Sequence, residues 1–349
     1  MGAPRLARRL IAVPCTVAAG LLVAAPALAH GPVPASPPSP ASLVLGWDFE
    51  PAVALPLIAV AIWWWRMLDG IDRRHPDHPV SGRQRWAFLA GLAAVAVALQ
   101  SGIARYDTTL FSLHMVQHLL LTLIAPPLLA LGAPITQLLR ASSPRNRQRL
   151  IVPFLHSRVM SVLTHPILAW ILFAGVMWGT HFSSIFNASL EDPFTHDLEH
   201  IAYLTVGLLF WWPVIGLDPA PRRMSYPVRI GYVFLQMPQN SFLAMTILFA
   251  SGPLYAHYAT LGAPYGIDAL TDQRTAAAIM WIVGDVVFIL ETLLVLGAWM
   301  RSESRTQGAT DRQADTELAA IREREVALRL RRAADGTDQR SASASTRER

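Results

Sequence analysis

Seven runs of about 18–25 residues in this chain carry almost no charge, each long enough to cross a hydrocarbon core of about 30 Å. A run of that kind inside a bilayer must satisfy its backbone polar groups within itself, so each is expected to be a helix. The runs fall at 51–68, 86–104, 111–133, 163–181, 197–217, 229–250 and 276–300. Charged residues make up only 15% of the chain and hydrophobic ones 53%, where a soluble domain carries about 25% charged. The expected fold is an all-α integral membrane protein with about seven transmembrane helices after a cleaved signal peptide.

The segments outside the runs set domain organisation and orientation. Arg5, Arg8 and Arg9, an apolar stretch from Leu10 and the small-residue box Ala27-Leu28-Ala29 read as a signal peptide over 1–29. Residues 30–46 are Pro/Ser/Ala-rich and read as a flexible extracytoplasmic tether, 47–300 as the membrane domain and 301–349 as a charged cytoplasmic tail. Within that tail, Leu318, Ile321 and Leu328 share one face of an expected solvated helix over 313–334, and a disordered end follows. Every basic residue is arginine, and their distribution points to membrane orientation, with no nucleic-acid partner. The loops at 69–85, 135–162 and 218–228 with their helix ends hold thirteen arginines, against Arg105 and Arg274 on the opposite side. By the positive-inside rule the first set is cytoplasmic, which places the mature N-terminus outside and the C-terminus inside a plasma membrane. Cys15 lies in the signal, so disulfides and thiolate metal sites are excluded from the mature chain.

The chemistry concentrates at the outer ends of the runs. His114 and His118 are spaced i, i+4, as are His196 and His200, so each pair projects from one helix face. His181 ends the fourth run, with Met177 one turn earlier, and His257 follows the sixth. A single histidine at such a place caps a helix or anchors it in the interface. Several together inside spans, where ionisable groups are costly, point instead to a functional interior, and metal binding is the expected role. Imidazoles suit copper, zinc, iron or nickel, and nearby thioethers such as Met115 shift the balance toward Cu(I); copper is expected ahead of zinc or heme. Cleavage after Ala29 makes His30 the first residue, whose amine and ring form a compact nitrogen pair for copper or are a coincidence beside the tether. His196 to His200 also spells H-x-x-E-H, in which Glu199 would be the general base of a membrane zinc peptidase. Asp285 lies mid-span and needs a polar partner, for which Gln236 and Asn240 are the candidates.

The stretch from His114-Met115-Val116-Gln117-His118 through Ala125-Pro126-Pro127 to Ala133-Pro134 resembles the CtaG family of caa-type cytochrome c oxidase assembly factors. The regions of His196 and His200, Pro253 to Tyr258, and Asp272-Gln273 with Met280-Trp281 are similar too, so the likeness spans roughly 45–300. The resemblance implies a non-enzymatic assembly factor that delivers copper to heme–copper oxidase subunits, with periplasmic copper chaperones as further partners. The alternatives are a copper transporter or tolerance protein without an oxidase client, and a membrane zinc peptidase or heme-b protein.

A reporter fused after Arg145 should read as cytoplasmic and one fused after Asn187 as external. The reverse result would move the histidines to the wrong compartment.

Overall fold

The computed structural model describes residues 33–347, so the expected signal peptide and His30 lie outside the described residues. Those residues are helical, with no strand among them. The main helices are α1 (Pro51–Arg74), α2 (Gly82–Tyr106), α3 (Phe111–Ala141), α4 (Pro166–His181), α5 (Ser184–Glu191), α6 (Pro193–Ile215), α7 (Tyr226–Leu248) and α8 (Ala269–Arg347). The chain divides into two units, Met1–Val295 and Leu296–Arg349, and the first holds all of the chemistry described below.

Each expected span coincides with a helix, but the helices are not alike. Five are long and apolar enough to cross a membrane, namely α1, α2, α3, α6 and α8. The sixteen-residue α4 meets the length only together with α5, from which it is bent by 72°. The break falls at Phe182-Ser183, where the Ser183 side chain caps α5 by accepting from the Ile185 amide. The 23-residue α7 has the length, yet Gln236, Gln239, Asn240 and Ser241 dilute its apolar run. Leu55, Ile58 and Ile62 on α1, Phe234 and Phe242 on α7, and Ile289, Leu293 and Leu294 on α8 are exposed, as lipid-facing surfaces require.

Helix ends are tied by carboxylates supplied from elsewhere in the chain. Asp272 of α8 accepts from the Phe111 amide at 2.5 Å, capping the start of α3. Asp218 accepts from the amides of Ile135 and Thr136 at 3.2 and 2.7 Å. That contact holds the turn after Ala133, which has left-handed backbone (φ 51°). Arg85 bridges Asp69 and Asp72 at 2.8 and 2.6 Å and locks the α1–α2 hairpin. The described part of the Pro/Ser-rich segment is docked and ordered by two contacts. A capped helix Pro40–Leu45 forms there, and the carbonyls of Ser36 and Pro34 accept from the hydroxyls of Tyr106 and Tyr265. At the far end, α8 includes the expected 313–334 helix and continues to Arg347, through the stretch expected to be disordered.

The central contact is α3 against α6. Between Leu119 and Ala125 the α3 ladder widens into a π turn over Leu120–Ile124. Such a turn re-aims the side chains around it and is frequent at functional sites. Gly207 on α6 lets the two backbones approach, since a Cβ there would stand 2.7 Å from Pro126 Cγ and 3.1 Å from the Thr122 carbonyl. Small residues at crossing points are how helices pack in lipid.

Gly207→Val should therefore cost about 1–3 kcal/mol by overpacking. Gly175→Ala, with open space around it, should be neutral or stabilising by up to about 1 kcal/mol. Thermal unfolding of the detergent-solubilised variants separates these outcomes, and equal melting temperatures would refute the close packing at Gly207.

Candidate metal centre

The two i, i+4 pairs face each other from the N-terminal ends of α3 and α6. The His114 and His118 rings are 4.1 Å apart by centroid and the His196 and His200 rings 4.2 Å apart. Across the helix interface His114 stands 5.6 Å from His196, and His118 stands 6.4 Å from His200. His181, at the end of α4, adds a fifth ring 6.1 Å from His118. The local reason lies in the spacing: four residues along a helix return a side chain to the same face one turn on. The Asp192 side chain starts α6 by accepting from the Thr195 amide at 2.8 Å, which puts His196 in the first helical turns.

Two carboxylates enter the cluster. The Glu199 Oε2 atom is 3.8 Å from the Nε2 atoms of both His114 and His118. Asp107, in the turn between α2 and α3, has Oδ2 at 3.8 Å from His196 Nε2. Donor atoms of Asp107, His196 and His200 all lie within 4.8 Å of one another, and so do those of His114, His196 and Glu199. With ligand bonds of about 2.0–2.2 Å, donors around one ion sit roughly 3–4 Å apart, so modest side-chain rotations close either set. All of these residues are buried; His114 is 0% exposed. Burial pushes the Asp107 carboxyl up to about 7, against the donation from Gln117. A metal there competes with that proton, so affinity falls toward acid.

Hydrogen bonds around the cluster orient its members. Gln117, between the two histidines of α3, donates to Asp107 at 2.9 Å and to the Ala98 carbonyl at 3.0 Å. Its carbonyl oxygen therefore faces His200, whose Nε2–H donates to it at 3.0 Å. His181 donates Nδ1–H to the Met177 carbonyl at 2.7 Å, which leaves its Nε2 lone pair available. This fixes a tautomer in the manner of metal-binding histidines. Tyr258 donates to the Asp107 carbonyl at 2.6 Å. Phe186 on α5 packs against the rings of His114 and His181 at 5.1 and 5.5 Å and, in turn, against Tyr255 at 4.3 Å, each pair tilted. The bend between α4 and α5 thus supplies an apolar roof. By contrast, the ring nitrogens of His114 and His118 make no hydrogen bond in this setting. The nearest acceptors are Glu199 and, for His114, the Asp107 backbone.

The other residues singled out by sequence fall elsewhere. His257 is half-buried and directs Nε2–H at the Thr108 carbonyl, 2.8 Å away, so it braces the turn carrying Asp107. Met115 is buried on the α3 face toward α7 and α8. Asp285 accepts from Ser241 at 2.9 Å, and neither Gln236 nor Asn240 partners it. Asn240 instead reaches the Met280 carbonyl at 3.2 Å, a path left open by Gly284. Gln236 donates to Gln239. Asp107 and Gln117 were not found from sequence. Gln117 stood in view between two histidines, whereas nothing in the short loop marked Asp107.

Gln117→Leu should destabilise the protein by about 1–3 kcal/mol for each buried group it orphans. Tryptophan fluorescence melts would show this, with exposed Gln313→Leu unchanged; identical melts for the two variants would contradict the network.

Residues 62–302 match the family of cytochrome c oxidase caa3 assembly factors, Caa3_CtaG. Proteins described as uncharacterised from Mycobacterium bovis and Mycobacterium tuberculosis are each 31% identical over 286 residues, covering 80% of this chain and 43% of theirs. One from Mycobacterium leprae is 30% identical over 281 residues, covering 78% and 42%. The chain thus spans less than half the length of the curated relatives it matches. No solved structure matches it. With two thirds of its length inside the match, including every histidine of the cluster, the chain belongs to the Caa3_CtaG family of cytochrome c oxidase assembly factors.

Proposed function

We propose that this protein supports oxidase assembly by holding copper in the buried histidine–carboxylate cluster and passing it to a heme–copper oxidase subunit. The reading puts the cluster at the outer membrane face, with the mature N-terminus outside and the C-terminus cytoplasmic, following the arginine asymmetry. The observation that carries it is the pair of facing i, i+4 histidine pairs with Glu199 between His114 and His118. Leaving a buried polar atom unpaired costs about 1–3 kcal/mol, and these two histidines contribute four such nitrogens. A bound cation supplies the missing partner for each nitrogen that ligates it. Among divalent ions an imidazole-rich site favours copper most strongly, and an oxidase requires that metal at its binuclear centre.

Delivery on this reading is ligand exchange and involves no catalysis. Five imidazoles and two carboxylates within one cluster offer overlapping sets, so an ion can shift between them without leaving the protein. Glu199 serves as a ligand here, beside His114 and His118 and beneath the Phe186 roof, where a peptidase base would need access to water and substrate. Heme–copper oxidase subunits are the receiving partners and periplasmic copper carriers the donors.

Cells lacking this protein should still insert the oxidase polypeptides and their heme, yet show low terminal oxidase activity in copper-poor medium. Added copper should restore part of the activity by mass action. Full oxidase activity in copper-depleted deletion cells, with growth failing only at high copper, would replace this reading with a tolerance or transport role.

A further inference from the structure

Beneath the histidine cluster, a cavity of about 30 Å³ opens between α3, α4, α7 and α8. Its lining includes the side chains of Met115, Met177 and Met280, together with His118, His181 and Gln236. The remaining wall is mainly apolar, with Leu119, Phe173 and Phe288 among its members. Methionine is the residue that ordinarily bends to fill gaps in a core. Here three methionines border a space large enough for a water-sized occupant and leave it open. Three of the six polar residues on the same wall are unusually placed. His118 is 4% exposed, His181 3% and Gln236 1%, and each carries a buried polar atom with no hydrogen-bond partner: both nitrogens of His118, Nε2 of His181 and Oε1 of Gln236. The His181 tautomer set by Met177 puts the lone pair on that unpartnered Nε2.

We propose that this cavity is a second metal site, a thioether–imidazole pocket for a soft monovalent cation such as Cu(I), separate from the histidine–carboxylate cluster. Thioether sulfur with neutral imidazole is a donor set selective for Cu(I) over harder divalent ions. No carboxylate lines the pocket, whereas the cluster above contains two, so the two sites differ in the charge they favour. The unpartnered Gln236 amide oxygen offers a further neutral donor whose dipole favours a cation. His118 and His181 belong to both places: both line the cavity, His118 stands 3.8 Å from Glu199, and the His181 ring stands 6.1 Å from that of His118. They are the residues through which an ion would pass between the two sites. The soft site does not depend on whether the cluster binds copper.

The test uses the purified, detergent-solubilised full chain with silver(I), a redox-inert stand-in for Cu(I), and cobalt(II) as a harder probe. X-ray absorption of the silver-loaded protein should report sulfur and nitrogen neighbours. Met115→Leu/Met177→Leu/Met280→Leu, a volume-conserving change, should lose the sulfur signal and weaken silver binding by about tenfold or more while keeping cobalt. Glu199→Gln with His196→Ala should do the opposite, losing cobalt and keeping silver, which separates failure of this site from failure of the cluster. A wild-type silver spectrum without sulfur would overturn the proposal even if the triple variant does not fold. Unchanged silver affinity in a folded triple variant would overturn it as well.

Discussion

Pro126 and Pro127 lack the two amide N–H groups that could donate to the Thr122 carbonyl within the α3 ladder, one in α-helical and one in π register. In a bilayer core that carbonyl has no water to turn to. It accepts instead from the indole N–H of Trp211 on α6 at 2.9 Å. The arrangement of the site follows from this contact. It docks α6 on α3 one helical turn beyond His118, Gly207 lets the backbones meet, and the next turns toward the two N-termini bring His196, Glu199 and His200 opposite His114 and His118. The same hydroxyl-bearing residue ties the π turn to the site, because the Thr122 side chain donates to the His118 carbonyl at 2.6 Å.

The cluster is thus held by a frame of hydrogen-bonded polar groups around His114 and His118, whose ring nitrogens make no hydrogen bond. Gln117, Tyr258, Thr180 and the backbone of Met177 orient their neighbours with short hydrogen bonds, and Asp272 anchors the start of the helix carrying the first histidine pair. A purely structural polar core would be expected to pair its members with one another. Here the surrounding groups are paired, and His114 and His118 are left with nitrogens facing carboxylate at 3.8 Å, too far for a hydrogen bond. A ligand site whose donors are held in place by hydrogen-bonded neighbours divides its polar groups in this way.

Much of this was legible in the sequence because apolar runs and i, i+4 spacing are local properties. The helices at the expected spans and the pairing of His114 with His118 and of His196 with His200 need no tertiary information. The approach of α3 to α6 was not legible, since it turns on one carbonyl freed by proline and one glycine that any helix could carry. Asp107 escaped notice because it sits in a short turn whose place beside His196 depends on how α2 and α3 close. The α4–α5 bend was missed because Ser183 and the residues after it read as an ordinary loop, although a serine before an apolar stretch is a helix-start signal. Asp285 found Ser241 because successive residues point about 100° apart on a helix, which sends Asn240 toward the Met280 carbonyl.

We propose that the histidine–carboxylate cluster exists to hold a metal. Copper content of the purified, detergent-solubilised protein, compared between wild type and His114→Ala/His118→Ala, tests it most directly. Copper should be bound to the wild type through imidazole nitrogen and largely lost from the double variant. His75→Ala and His165→Ala, whose rings lie outside the cluster, should retain it. Equal copper in the wild type and a normally inserted double variant would contradict the account and return the histidines to a structural role.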